Sequence, residues 1–411
     1  MDNIRSAMKK SPAAIVLQTL RTGLVLPQPA ANAFIGEMTK PNEAQKAWIK
    51  KIDNSFWKGS LIAPNINCDS DAQAIRRLRK ADVVIFEVHG GGFRVGNSTM
   101  YMSAFVNWIT ILKLKHGLDA VMMSVDYGLA PKHKYPEPVY DVVNAYRHLT
   151  EDLHVPGWKV IMSSDSAGSA LTLETLIRTY APGIIDDPEA PRSNHKVHLP
   201  AGMVLSSPLV TPETNSSSWE QFEKNDMVSQ HLAKLVFKEF LNYPHVNPDD
   251  LPILRLSSIN HGYNRFAPRN ALVFVGDKEV MRDDILQLVD TVKADGWTKV
   301  RVCREKYAHD WFLIREIVKK KDKVMLSQYD EVFVNFAAYA VAEAAEQLSK
   351  DATKPAEPVT AKTDQVQQLD VNLQSENIVE TVNDILTTDK KEPVVTHVEN
   401  VDKVGPGLIV P

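Results

Sequence analysis

Ser166 stands in Val160-Ile161-Met162-Ser163-Ser164-Asp165-Ser166-Ala167-Gly168-Ser169, where an apolar run breaks into small residues before a helical stretch from Ala170 to Tyr180. That is a setting in which a serine can act as a nucleophile. On a sharp strand-to-helix turn the backbone at the serine is strained, and the residues two before and two after it must be small for the turn to close. Ser164 and Gly168 hold those places, Ser164 departing from the usual glycine. By itself a serine-rich strand end is more often a helix cap. A serine hydroxyl at its ordinary pKa also reacts poorly, so it needs a histidine base and a carboxylate to orient that base. Both follow in the chain. Gly276-Asp277-Lys278-Glu279-Val280-Met281-Arg282-Asp283-Asp284 comes after the apolar run Ala271 to Val275, and Tyr307-Ala308-His309-Asp310-Trp311-Phe312 comes after Lys299 to Cys303. Of the twelve histidines, His309 alone lies at a strand end downstream of such an acid. Spacing leaves the acid open between Asp277 and Glu279, while Asp283 reads as a cap for the helix that follows.

A second stretch complements the serine. Val83-Val84-Ile85-Phe86-Glu87-Val88-His89-Gly90-Gly91-Gly92-Phe93 is an apolar run that empties into three consecutive glycines. Backbone without side chains lets a ligand sit directly against main-chain N–H groups, as stabilising an oxyanion requires. Glycines after a strand can also cradle phosphate, but neither nucleotide-binding spacing is present. A plain tight turn is the alternative until a nucleophile is found elsewhere, and Ser166 supplies one.

These residues need elements to hold them. From Asp82 onward, short β-branched runs alternate with longer amphipathic segments, the pattern of a largely parallel sheet flanked by helices. Strands are expected near 83–88, 120–125, 158–163, 202–207, 271–275 and 299–303, and helices near 100–115, 138–150, 167–180, 230–241, 283–295 and 328–349. Each candidate site residue then falls just beyond the C-terminal end of a strand, the rim where open α/β sheets place their ligands. Residues 1–80 read as N-terminal helices and connectors that form part of a cap, with helical stretches over Asn42 to Ile52 and Ser70 to Arg79. The catalytic domain spans 81–349. Within it, residues 211–266 are too long for a simple connector and read as a cap insertion over the rim.

With these motifs in order, the chain resembles the hormone-sensitive-lipase-like branch of the α/β-hydrolase fold, esterases that carry an H-G-G-G motif. Besides His89-Gly90-Gly91-Gly92-Phe93, it holds Val125-Asp126-Tyr127-Gly128-Leu129-Ala130-Pro131, close to that family's D-Y-R-L-A-P, then Tyr135-Pro136. Ser164-Asp165-Ser166-Ala167-Gly168-Ser169 stands where the family has G-D-S-A-G-G. The resemblance covers residues 80 to 345 and implies a serine hydrolase of carboxylic esters; the lid-like insertion together with the apolar N-terminal helix makes lipid-like or steryl acetyl esters a candidate substrate class. It also favours Glu279 as the acid, since Glu279-Val280-Met281-Arg282-Asp283 superposes on the family's D-P-L-R-D; Asp277 is the alternative. It implies an oxyanion hole from the N–H groups of Gly91, Gly92 and Ala167, with His89 and Gly90 supporting the glycine loop. Two other readings are an amidase or thioesterase of arylformamidase type and a non-catalytic ligand-binding protein on a hydrolase scaffold. Retention of His309 argues against the last.

Composition narrows the partners. With 411 residues, 44% apolar and 24% charged, the chain can bury a large core, and a formal charge of −4 gives no reason to expect nucleic acid. Its two cysteines, Cys68 and Cys303, form neither a disulfide framework nor a metal spacing, so a reducing, cytoplasmic location is the expectation. The chemistry calls for no metal and no organic cofactor; His195-Lys196-Val197-His198 lacks a third ligand. Ala13 to Leu26 is too short and too interrupted to span a membrane, but its amphipathic pattern after Lys9-Lys10 makes peripheral membrane contact a candidate role. From Asp351 to Pro411 there are eleven acidic and five basic residues and no aromatic one. Residues 350–411 are accordingly expected to be a disordered acidic tail.

Overall fold

The computed structural model describes residues 11–184, 197–241 and 259–353. The β-branched runs of the sequence become strands buried at every position: β3 (Val83–Val88), β4 (Ala120–Val125), β5 (Val160–Asp165), β6 (Gly202–Ser206) and β7 (Asn270–Gly276). Burial on both faces is what a parallel sheet between two helical layers demands. β8 (Lys299–Glu305) alternates exposed and covered residues, as an edge strand should. Two further strands, β1 (Ile49–Asp53) and β2 (Lys58–Ile62), complete an eight-stranded sheet of order β1-β2-β4-β3-β5-β6-β7-β8. The β1–β2 and β2–β4 pairs are antiparallel and all others parallel.

β1 corrects the expected helix over Asn42 to Ile52. Only Glu43–Lys46 is helical, closed at its start by a capping box between Asn42 and Gln45. Beyond it, Ile49 to Asp53 pairs with β2, and that long-range pairing overrides the local helical preference. The helix expected over Ser70 to Arg79 is present as Asp71–Lys80, with Ser70 and Gln73 forming its capping box. The last helix runs from Lys323 to Thr353, longer at both ends than expected. The tail beyond it lies outside the described residues, as do Lys9-Lys10, His195 and residues 242–258 of the insertion.

Helices Glu137–Arg147 and Ser166–Tyr180 pack together on one face of the sheet, and Met102–His116 packs with Lys323–Thr353 on the other. The second face carries an aromatic stack: Trp108 lies 3.8 Å from Phe333 and 5.6 Å from Phe312, and Phe312 lies 3.9 Å from Phe274 of β7. Each such pair is worth about 0.5–1.5 kcal/mol beyond its burial. Through Phe312 the stack anchors the segment that carries His309.

Register places the motifs on one edge. Val88 lies level with Ser164, Asp165 with Ser206, Ser206 with Phe274, and Gly276 with Glu305. The chain therefore leaves β3, β5, β6, β7 and β8 on the same side, and the segments that follow meet there.

Candidate active site

Ser166 opens the helix Ser166–Tyr180 directly after β5, with φ at +44°. An L-residue is strained there, as the strand-to-helix elbow requires. Gly168 is needed because the helix presses onto the end of β3: a Cβ at that position would lie 2.2 Å from the carbonyl oxygen of Val88. Ser164, the departure from glycine, is accommodated. Its buried hydroxyl donates to Ser169 Oγ at 3.1 Å, so the extra polar atom is satisfied.

The glycine loop is tied to this elbow through Asp165, whose carboxylate accepts from Gly90 N at 2.8 Å and Tyr101 Oη at 2.7 Å. Burial raises the Asp165 carboxyl well above the usual range, with Asp310 and Glu87 adding to the effect. His89 Nδ1 donates to Gly90 O at 2.8 Å, and its ring stacks on Tyr127 at 4.4 Å. Tyr127 Oη in turn donates to His89 O at 2.8 Å. Burial pushes the His89 imidazole down, which favours its neutral form. Gly91 and Gly92 take φ of +98° and +61°, and both face a cavity together with Ala167, Ser166 and His309.

His309 Nε2 lies 2.8 Å from Ser166 Oγ. On the other side of the ring, Glu279 Oε2 faces Nδ1 at 3.7 Å, close enough to pair electrostatically but longer than a hydrogen bond. Glu279 is completely buried and accepts from Ser207 Oγ at 2.5 Å. Burial raises its carboxyl to about 8, opposed by the charge of His309 and by the Ser207 hydroxyl. Asp277, the other candidate acid, points elsewhere: its Oδ1 lies 2.7 Å from Arg304 Nη2, and its side chain is about one third exposed. Asp283 does not cap its helix either; it accepts from Ser218 N at 2.9 Å and so holds the insertion.

Two residues of the site had no signal in the sequence. Asp226 is buried in the insertion; its Oδ1 accepts from His309 N at 3.2 Å and its Oδ2 from Val280 N at 2.8 Å. One carboxylate thus holds the base-bearing and acid-bearing loops in place. Asp310 puts Oδ2 3.1 Å from His309 Nε2. Burial favours the neutral form of His309, but the carboxylates of Asp310, Glu279 and Asp226 outweigh it and push the imidazole up to about 10.

Above these groups lies a cavity of about 190 Å³. Val16 and Leu20 of the helix Ala13–Leu24 form one wall, and Trp219, Leu232 and Val236 of the insertion another. Arg94, next after the glycine loop and Phe93, fastens both walls. It forks onto Glu239 at 2.8 and 3.1 Å and donates to the carbonyls of Leu24 at 2.5 Å and Leu26 at 3.1 Å. Arg21 adds a second clasp, donating to Glu223 O and, at 2.9 Å, to Asp226 O. Among the described residues no group of three or more His, Cys, Asp or Glu is placed to hold a metal, and no helix is long and apolar enough to cross a membrane.

A family model described as the alpha/beta hydrolase fold matches residues 85–313. The chain belongs to this family. It is 27% identical to an esterase of Acinetobacter venetianus over 52% of this chain and 62% of the relative. With arylacetamide deacetylase of Rattus norvegicus it shares 29% identity over 38% of this chain and 37% of the relative, and with hormone-sensitive lipase of Mus musculus 24% over 34% and 16%. The chain thus spans less than two thirds of these curated relatives. Among solved structures, the esterase EstE5 superposes with a TM-score of 0.59 at 20% identity, covering 81% of this chain and 99% of that one. An esterase from the bacterial hormone-sensitive lipase family gives 0.58 at 20% identity, covering 79% and 98%. Both share the fold.

Proposed function

We propose that the protein is a serine hydrolase of carboxylic esters. The observation that carries this reading is the 2.8 Å contact between His309 Nε2 and a Ser166 held at positive φ on the floor of an apolar cavity. Ser166 Oγ attacks the acyl carbon while His309 takes its proton, and the carbonyl oxygen gains charge facing the N–H groups of Gly91, Gly92 and Ala167. Each such donor is worth about 3 kcal/mol of transition-state stabilisation. His309 then gives the proton to the leaving alcohol, and water, activated by the same histidine, releases the acid. Glu279, facing Nδ1, is the carboxyl that orients the imidazole.

The walls formed by Val16, Leu20, Leu232 and Val236 favour an uncharged, apolar acyl or alcohol group, lipid-like or steryl acetyl esters included. A second reading, cleavage of N-acyl amides by the same triad, is supported by the relative named arylacetamide deacetylase. Peripheral membrane contact is proposed through the outer side of the helix Ala13–Leu24 and its flank, where Ile15 and Leu26 are exposed. The enzymatic reading is tested with a fluorophosphonate probe: covalent labelling at Ser166 is expected. A folded protein left unlabelled there would make the chain a binding protein on a hydrolase scaffold.

A further inference from the structure

His309 has a carboxylate on each side of its ring. Glu279 faces Nδ1, while Asp310 Oδ2 is 3.1 Å from Nε2, the same nitrogen that contacts Ser166 Oγ at 2.8 Å. In a Ser-His-acid triad that second nitrogen ordinarily serves only the serine and the leaving group. The Asp310 position is built rather than accidental. Its φ is +56°, a region where Asp, Asn and Gly are tolerated far better than other residues. Its N–H donates to Ser207 Oγ at 3.0 Å, and Ser207 Oγ donates to Glu279 Oε2 at 2.5 Å, so one hydroxyl fixes both carboxylate-bearing loops. Asp310 is 3% exposed, lines the cavity beside Ser166, and keeps Oδ1 without a hydrogen-bond partner.

We propose that Asp310 is a further catalytic carboxylate, one that pairs with the Nε2–H of His309 whenever the imidazole is charged and competes with Ser166 for that nitrogen. The proposal rests on the serine-hydrolase reading. In the attacking step the Ser166 O–H bond breaks, the Nε2–H and Oγ–C bonds form, and the carbonyl π pair moves to the oxyanion. Asp310 takes no proton; it accepts a hydrogen bond from the new Nε2–H and opposes its positive charge. The same contact acts on the resting enzyme, where a protonated His309 turned to Asp310 cannot serve as a base. Turnover should therefore begin at a higher pH than an isolated histidine would permit. Two further carboxylates act on the imidazole in the same sense, Glu279 from the segment after β7 and Asp226 from the insertion; behind Asp310 lie Asp165, Glu87 and the Tyr101 hydroxyl, whose burial raises them and favours their neutral forms.

The test is a pH titration of the His309 ring by NMR in a Ser166→Ala protein, with and without Asp310→Asn. Asparagine is nearly isosteric and also accepts positive φ. The midpoint should lie above the ordinary value of about 6.5 and fall by about one pH unit or more on Asp310→Asn, the scale of one nearby opposite charge. A midpoint unmoved by the substitution would overturn the proposal. The unaltered protein gives an independent check: the rate of fluorophosphonate labelling should rise with a midpoint above about 6.5, and a midpoint at or below that value would equally overturn it. Because the titration needs no turnover, it remains readable if Ser166 proves unreactive, which keeps this failure distinct from failure of the hydrolase reading.

Discussion

At the rim of the sheet backbone conformation sets the serine and the glycine loop, whereas in the cap long side chains make the ties. Ser166 is set by an elbow at φ +44°, Gly91 and Gly92 by positive φ, and Gly168 by a contact that leaves no room for a Cβ. In the cap, two arginine side chains make the long-range ties. The helix Ala13–Leu24 and the helix Gln230–Phe240 are held over the cavity by Arg94 and Arg21, whose partners are carbonyls and a carboxylate far away in sequence. The difference teaches how the two regions can vary: the elbow and the glycine loop are fixed by chain direction, while the cap can shift when one charged side chain is removed. Chemistry should therefore respond to substitutions at the rim, and binding and stability to substitutions in the clasps.

The comparison breaks most sharply at the acid. Glu279→Gln should reduce kcat by about 10³-fold or more, the scale seen when a triad carboxylate loses its charge, with KM little changed. Asp277→Asn, which removes only a partner of Arg304, should stay within about twofold, since partly exposed ion pairs contribute little. Steady-state turnover of a chromogenic ester decides it, and the reverse order would move the acid to Asp277.

Arg94→Ala should leave Glu239 and two carbonyls without their donor. Removing one partner of a buried pair typically costs about 3–5 kcal/mol, read by denaturant unfolding. Surviving activity should show a raised KM with kcat largely kept. Arg94→Lys should recover only part of the loss, because an ammonium cannot fork onto a carboxylate and reach two carbonyls together. A large fall in kcat with unchanged KM would contradict the division between rim and cap.

Arg21→Ala is the mildest of the set. Its two carbonyl partners are partly buried, and loss of one charged donor should cost about 1–3 kcal/mol. Because Asp226 lies in the segment that Arg21 holds, a small loss of kcat should accompany it. A kcat effect as large as that of Glu279→Gln would show that the clasp, not the rim, sets the histidine.

What could be read from the sequence follows the same line. The six parallel strands, the elbow at Ser166 and the glycine run are local patterns: apolar runs, small residues at fixed offsets, and glycines where the backbone must turn. β1 was missed because Ile49 to Asp53 is mixed in composition and becomes a strand only by pairing with β2. Asp283 takes its role from Ser218 across the fold rather than from its own helix start.

The amino-acid sequence by itself determined the α/β architecture and the order serine, acid, histidine, because hydrophobic periodicity and turn chemistry act over a few residues. Only the tertiary structure decided which acid faces His309, that Asp226 holds two loops at once, and that Asp310 shares the histidine's second nitrogen. Those are matters of where buried charge finds a partner. Buried charges are paired by proximity in space, and no spacing in the chain encodes which loop ends will meet.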